Sequence, residues 1–212
     1  MSRYPLERRL MFVTDPEMTK ARGVPAVVLA AVAGGVGIVQ LRDKNANDDT
    51  LAEIGAALVG LLAPFNVPLI VNDRPAVAAR IRAAGVHIGQ DDGEVAAARA
   101  QVGKDAIIGW SVTDLSQLRN VPPEVDYIGL GPVFATCTKP DAAPPLGLDG
   151  LRAARSTTAI PIVAIGGIDA RNVASVMAAG ADGVAVVSAI CAAPEPEAAA
   201  RELVQAMRES SR

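Results

Sequence analysis

Between Gly131 and Lys139 the chain reads GPVFATCTK, and it runs on from Pro140 to Gly147 as PDAAPPLG. Thr136 and Thr138 offer hydroxyls, backbone N–H groups outside regular structure offer further donors, and Lys139 adds a mobile positive charge. Such groups capture a phosphate; a plain Thr/Pro-rich surface loop is the alternative for this stretch taken alone. A second cluster has a similar character. Gln40, Arg42 and Lys44, within QLRDK, are spaced by two, which in a strand puts three long polar side chains on one face. A solvated edge would explain them only if that strand were exposed, and the apolar Ile38, Val39 and Leu41 argue against exposure.

Two carboxylates, Asp73 and Asp92, follow short apolar runs. On adjacent strands they could approach one cation, and two carboxylates completed by phosphate oxygens and waters are a usual way to hold Mg2+. Each has a structural alternative: Asp92 as the cap of a helix starting near Glu94, Asp73 as a partner of Arg74. Farther on, Gly166-Gly167 and Val187-Ser188 offer backbone that an anion can approach closely, with packing as the alternative for the glycines. His87, the only histidine, sits between apolar neighbours and reads as a satisfied core residue. No Ser/His or Cys/His pairing is evident. Trp110 and Cys137 read as structural or incidental.

These residues need a scaffold that brings them to one place. Short apolar runs alternate with Ala/Leu-rich helical segments from end to end. Strands are expected at Leu10–Thr14, Gly37–Arg42, Pro68–Asn72, Val86–Ile88, Ala106–Trp110, Tyr127–Leu130, Ile160–Ile165 and Gly183–Val187. Helices are expected at Ala26–Val32 behind Pro25, Asp48–Leu62, Arg74–Ala84, Glu94–Gln101, a short piece capped by Thr113-Asp114 and ending near Asn120, Asp149–Ser156, Ala170–Ala179 and Glu195–Arg208. Eight continuously apolar strands, each followed by a helix, predict a parallel sheet covered on both sides. In about 200 residues that means a single-domain α/β fold, a (β/α)8 barrel over residues 1–212. An open doubly wound sheet fits less well, because it usually has fewer strands and one glycine-rich turn. In such a barrel the polar residues at the C-terminal strand ends face one mouth, and every candidate above falls there, with Asn72, Gln90, Asp91 and Ser111.

Composition narrows the ligand. A net charge of −3, no basic block and 3% aromatic residues suit nucleic-acid binding poorly. The start, MSRYPLERR, lacks the apolar core of a signal peptide, and the apolar stretch Val24–Val39 is broken by Gly34-Gly35 and too short to span a membrane. Two cysteines in no metal-ligand spacing fit a reduced cytoplasm.

QLRDK at 40–44, VNDR at 71–74, VHIGQDD at 86–92, GPVFATCTK at 131–139, VAIGGI at 163–168 and DGVAVVSAI at 182–190 together resemble the thiamine-phosphate synthase family, in order and over nearly the whole chain. That resemblance implies a condensation. A pyrimidine methyl diphosphate joins the nitrogen of a thiazole ethyl phosphate, giving thiamine phosphate and diphosphate. By the same resemblance Gln40, Leu41, Arg42, Asp43, Lys44, Asn72, Ser111 and Lys139 would hold the pyrimidine diphosphate, and Asp73 and Asp92 the Mg2+. Thr136, Cys137, Thr138, Gly167, Val187 and Ser188 would hold the thiazole phosphate. Lys139, Arg42 and Lys44 would meet the charge developing on the leaving group, with Ser111 counted among the catalytic groups. Partners are then two small molecules, with no nucleic acid and no membrane, and a homo-oligomer is left open. One departure stands out: the family often carries GxSxH after strand five, and here Thr113 takes the histidine's place. A thiazole tautomerase-like isomerase and a non-catalytic barrel that senses thiamine precursors are the alternatives; the complete diphosphate and metal set favours the synthase.

Overall fold

The computed structural model describes residues 10–138 and 142–209, so the N-terminal MSRYPLERR stretch and Lys139 lie outside the described residues. Eight strands, β1 (Leu10–Val13), β2 (Ile38–Leu41), β3 (Leu69–Asn72), β4 (Gly85–Ile88), β5 (Ile107–Val112), β6 (Tyr127–Leu130), β7 (Ile162–Ile165) and β8 (Gly183–Val186), close into a barrel in sequence order. Every neighbouring pair is parallel, including β8 with β1. The expected (β/α)8 architecture is the observed one.

Strand alternation divides the core in two. Met11, Val13, Ile38, Ile70, Ile107, Tyr127, Val163 and Ala185 point inward and fill the barrel. Their neighbours Phe12, Val39, Val71, Val86, Ile108, Ile128, Ala164 and Val184 point outward into the larger layer beneath the helices. Both faces are apolar because both are buried, which is why the strands read as unbroken hydrophobic runs.

The helices are α1 (Val24–Ala33), α2 (Asp48–Leu62), α3 (Pro75–Arg80), α4 (Val95–Val102), α5 (Gly147–Thr157), α6 (Val173–Ala178), α7 (Ser188–Cys191) and α8 (Pro196–Glu209). α2 starts where Asn47 accepts the Thr50 N–H and two aspartates fill the first turn. Asp114 caps the segment Leu115–Asn120 in a reciprocal box with Gln117, as its sequence suggests, but that segment is a 3-10 helix. α3 is shorter than expected. Arg82 turns left-handed at φ 53 and the Ala83 N–H reaches back to the Ala78 carbonyl, a helix stop usually marked by glycine. Among the described residues no helix is long and apolar enough to cross a membrane.

Candidate active site

A cavity of about 460 Å³ opens at the C-terminal ends of the strands. Its lining brings together Gln40, Arg42, Lys44, Asn72, Asp73, Asp92, Ser111, Thr136, Thr138, Gly167, Val187 and Ser188. The spacing-by-two argument for Gln40, Arg42 and Lys44 therefore holds, since all three face inward at the mouth.

Three residues proposed for substrate contact do not line this cavity. Leu41 alternates outward and is buried under the helices. Asp43 turns its carboxylate back on the Asn45 and Ala46 N–H groups and so shapes the loop. Cys137 is exposed and free. Thr138 and Ala142, which flank residues 139–141, both line the cavity.

Supports outside the cavity set these side chains. The buried Thr14 hydroxyl accepts the Arg42 N–H at 2.9 Å and donates to the Arg42 carbonyl at 3.2 Å, fixing the end of β2 beside β1. Arg74 does not pair with Asp73. Its guanidinium instead donates to the Ala46 carbonyl, to Asp48 and to the Asp43 carbonyl, tying the loop that carries Lys44 to β3. On the far side, the Val133 N–H bonds the Ile165 carbonyl and the Phe134 N–H the Gly166 carbonyl, so the loop after the cis Gly131–Pro132 bond lies on β7. Gly166 and Gly167 have φ of 99° and 64°, and a Cβ on Gly167 would come within 2.6 Å of the Ala135 carbonyl oxygen. The glycine pair thus serves packing of the threonine loop as well as lining the cavity.

The acidic pair converges as the sequence suggests. Asp73 follows β3 at φ 62, a left-handed conformation that Asp tolerates better than most residues, with its N–H on the His87 carbonyl. Asp92 is not the cap of α4, a position Glu94 occupies; its Oδ2 accepts the Gly89 N–H at 2.7 Å. Burial first, then Asp92, hold the Asp73 carboxyl up at about 6, while Lys44 and Arg42 pull it down. Two close carboxylates beside a cationic pair form an all-oxygen donor set that suits a hard divalent cation. No group of three or more Asp, Glu, His or Cys converges among the described residues, so substrate oxygens and water would complete the shell.

One relationship corrects the sequence reading. His87 is buried, as expected, but it is paired with a serine: its Nε2 lies 2.9 Å from Ser111 Oγ and its Nδ1 2.9 Å from the Tyr127 hydroxyl. Burial lowers its pKa from 6.5 to about 4, against the opposing pull of Asp92, so the imidazole is neutral near pH 7. Tyr127 was not among the expected site residues; Gln90, expected at the mouth, lines the cavity and donates to the Ser111 carbonyl at 2.6 Å. The available signal was parity, because Tyr127 and His87 are inward positions that run in steps of two to Gly129 and Gly89.

The profile of the family described as thiamine monophosphate synthase matches residues 10–190. The chain belongs to the thiamine monophosphate synthase family. That match runs from the first residue of β1 into α7 and so takes in every described residue lining the cavity. A thiamine-phosphate synthase of Azorhizobium caulinodans is 51% identical over 99% of both chains. One of Chloroflexus aurantiacus is 52% identical over 92% of this chain and 90% of its own. Among solved structures, thiamine phosphate pyrophosphorylase from Pyrococcus furiosus superposes with a TM-score of 0.88 at 34% identity, covering 96% of this chain and 97% of that one.

Proposed function

We propose that this chain is a transferase that joins a pyrimidine methyl diphosphate to the ring nitrogen of a thiazole ethyl phosphate, releasing diphosphate and forming thiamine phosphate. The observation that carries this reading is the gathering, in one cavity, of two separate sets of groups whose chemistry suits anions: Arg42 and Lys44 beside Asp73 and Asp92, and Thr136, Thr138, Gly167 and Ser188 opposite. A reaction between a diphosphate and a monophosphate needs two such regions.

On this reading Gln40, Arg42, Lys44, Asn72, Ser111 and Lys139 hold the pyrimidine diphosphate, and the threonine loop with Gly167, Val187 and Ser188 holds the thiazole phosphate. Asp73 and Asp92 would hold Mg2+, which when bound supplies positive charge against the diphosphate oxygens. The methylene C–O bond breaks with its electron pair leaving on diphosphate, and the electron-rich aminopyrimidine delocalises the resulting cation. The thiazole nitrogen then forms the C–N bond with its own lone pair. No proton is transferred and no protein nucleophile is consumed, so the contribution of Arg42 and Lys44 is electrostatic and that of the two regions is alignment. A neutral His87 with both nitrogens engaged by Ser111 and Tyr127 fits a mechanism without a general base. Exclusion of water protects the cation, and Thr138, Ala142 and Ala143, which line the cavity, would contribute to it. Two free cysteines suit a reducing cytoplasm. Incubation of both precursors with Mg2+ tests the reading: thiamine phosphate is expected, and folded protein that forms none would defeat it.

A further inference from the structure

The barrel interior is emptied of side chains around two rings. A Cβ on Gly109 would come within 2.2 Å of Tyr127 Cζ and 2.4 Å of His87 Nδ1, and one on Gly129 within 2.8 Å of His87 Cε1. Register places Gly109 opposite both His87 and Tyr127, so β5 gives up a side chain for the two rings to meet across it. The ring centroids stand 5.4 Å apart. Tyr127 is 1% exposed and His87 8%, at the floor of the cavity.

A neutral imidazole has one proton and two nitrogens, so Tyr127 and Ser111 cannot both donate to it without leaving that proton unused. A phenol is the stronger donor and the weaker acceptor of the two hydroxyls. On that ordering Tyr127 would donate to Nδ1, the imidazole proton would sit on Nε2, and Nε2–H would donate to Ser111 Oγ. The proton of Ser111 is then left to point into the cavity that Ser111 lines.

We propose that Tyr127 is a positioning residue which, through the Nε2–H tautomer of His87, presents Ser111 as a hydrogen-bond donor to an acceptor atom of the pyrimidine diphosphate. This rests on reading the cavity as the pyrimidine diphosphate site, but the tautomer itself can be read without substrate. Because the chain has a single histidine, 15N-histidine labelling of untagged protein gives one imidazole to observe. The substrate-free spectrum near pH 8 should show the proton on Nε2; a dominant Nδ1–H form would overturn the proposal, whether or not any variant folds. Tyr127→Phe should lose the tautomer preference and lower kcat/KM for the pyrimidine diphosphate about tenfold, the scale of one misdirected hydrogen bond, with the thiazole phosphate KM within about twofold. In a Ser111→Ala background the same substitution should change kcat/KM less than about twofold. An equal loss in both backgrounds, as lost packing would give, contradicts the proposal. Absence of any product in the wild type defeats the synthase reading instead and leaves the spectroscopic test intact.

Discussion

Asp73 and Asp92, carried past the ends of adjacent strands β3 and β4, meet at the cavity mouth closely enough for Asp92 to help hold the Asp73 carboxyl up. Two like-charged groups held this close are destabilising for the protein alone and become favourable when a cation or a proton lies between them. Asp73→Asn and Asp92→Asn should therefore raise the Mg2+ concentration needed for half-maximal rate by about tenfold or more and lower kcat, while the melting temperature in chelator stays the same or rises. Asparagine tolerates the left-handed backbone at position 73, so the fold is not at stake there. Mg2+ titration of the rate checks the first part, and unchanged metal dependence in both variants would remove these residues from the metal site.

His87 carries a pH dependence of stability. Its folded pKa, about 4, lies below the ordinary 6.5, so the unfolded chain binds a proton that the folded protein refuses between those values. The stabilisation is complete above about 6.5 and is lost as pH falls toward about 4, amounting at most to about 3 kcal/mol. Asp73, held up at about 6, tilts the other way in an overlapping window, so the comparison must be a difference. Urea unfolding of wild type and His87→Gln across this range should show the gap between them shrink as the solution is acidified. A gap independent of pH would mean that His87 is not held neutral.

Much of the site was legible because it depends on alternation within one strand. Gln40, Arg42 and Lys44 share a face wherever β2 lies, and Asp73 and Asp92 needed only that successive strands be neighbours. The His87–Ser111 pair was not legible, because it depends on the register of β4, β5 and β6 and on Gly109 leaving room for two rings. The same limit applies at Arg82, where α3 stops without the glycine that usually marks a stop, and at α7, whose four residues are too few to show a helical period. Leu41 illustrates the converse: it lies inside the QLRDK motif, yet strand parity sends its side chain to the other face of the sheet.

The opposite side of the cavity is tested by charge. Ser188→Glu puts a carboxylate where the thiazole phosphate is proposed to sit, and repulsion should raise the thiazole phosphate KM by about tenfold or more while the pyrimidine diphosphate KM moves less than about threefold. Steady-state kinetics with each substrate varied in turn makes the comparison. Equal weakening of both would collapse the two regions into one.

Arg42 is held by Thr14 at the end of β2 and stands beside the acidic pair at the mouth. If its role is to meet charge on the departing diphosphate, Arg42→Met should lower kcat by about 10²-fold, the scale of removing one preorganised electrostatic contact. The chemical step should stay nearly flat between roughly pH 7 and 8.5, since no base is proposed and His87 stays neutral throughout that range. Single-turnover rates across that range report both; a rise of about tenfold per pH unit that vanishes in His87→Gln would reveal a base.

The most direct measurement follows both products from both substrates in one time course. With Mg2+ present, thiamine phosphate and diphosphate should appear together in one-to-one ratio, and neither should form when the pyrimidine diphosphate or the metal is withheld. Diphosphate released without thiamine phosphate in the presence of saturating thiazole phosphate, or no product at all from folded protein, would contradict the account.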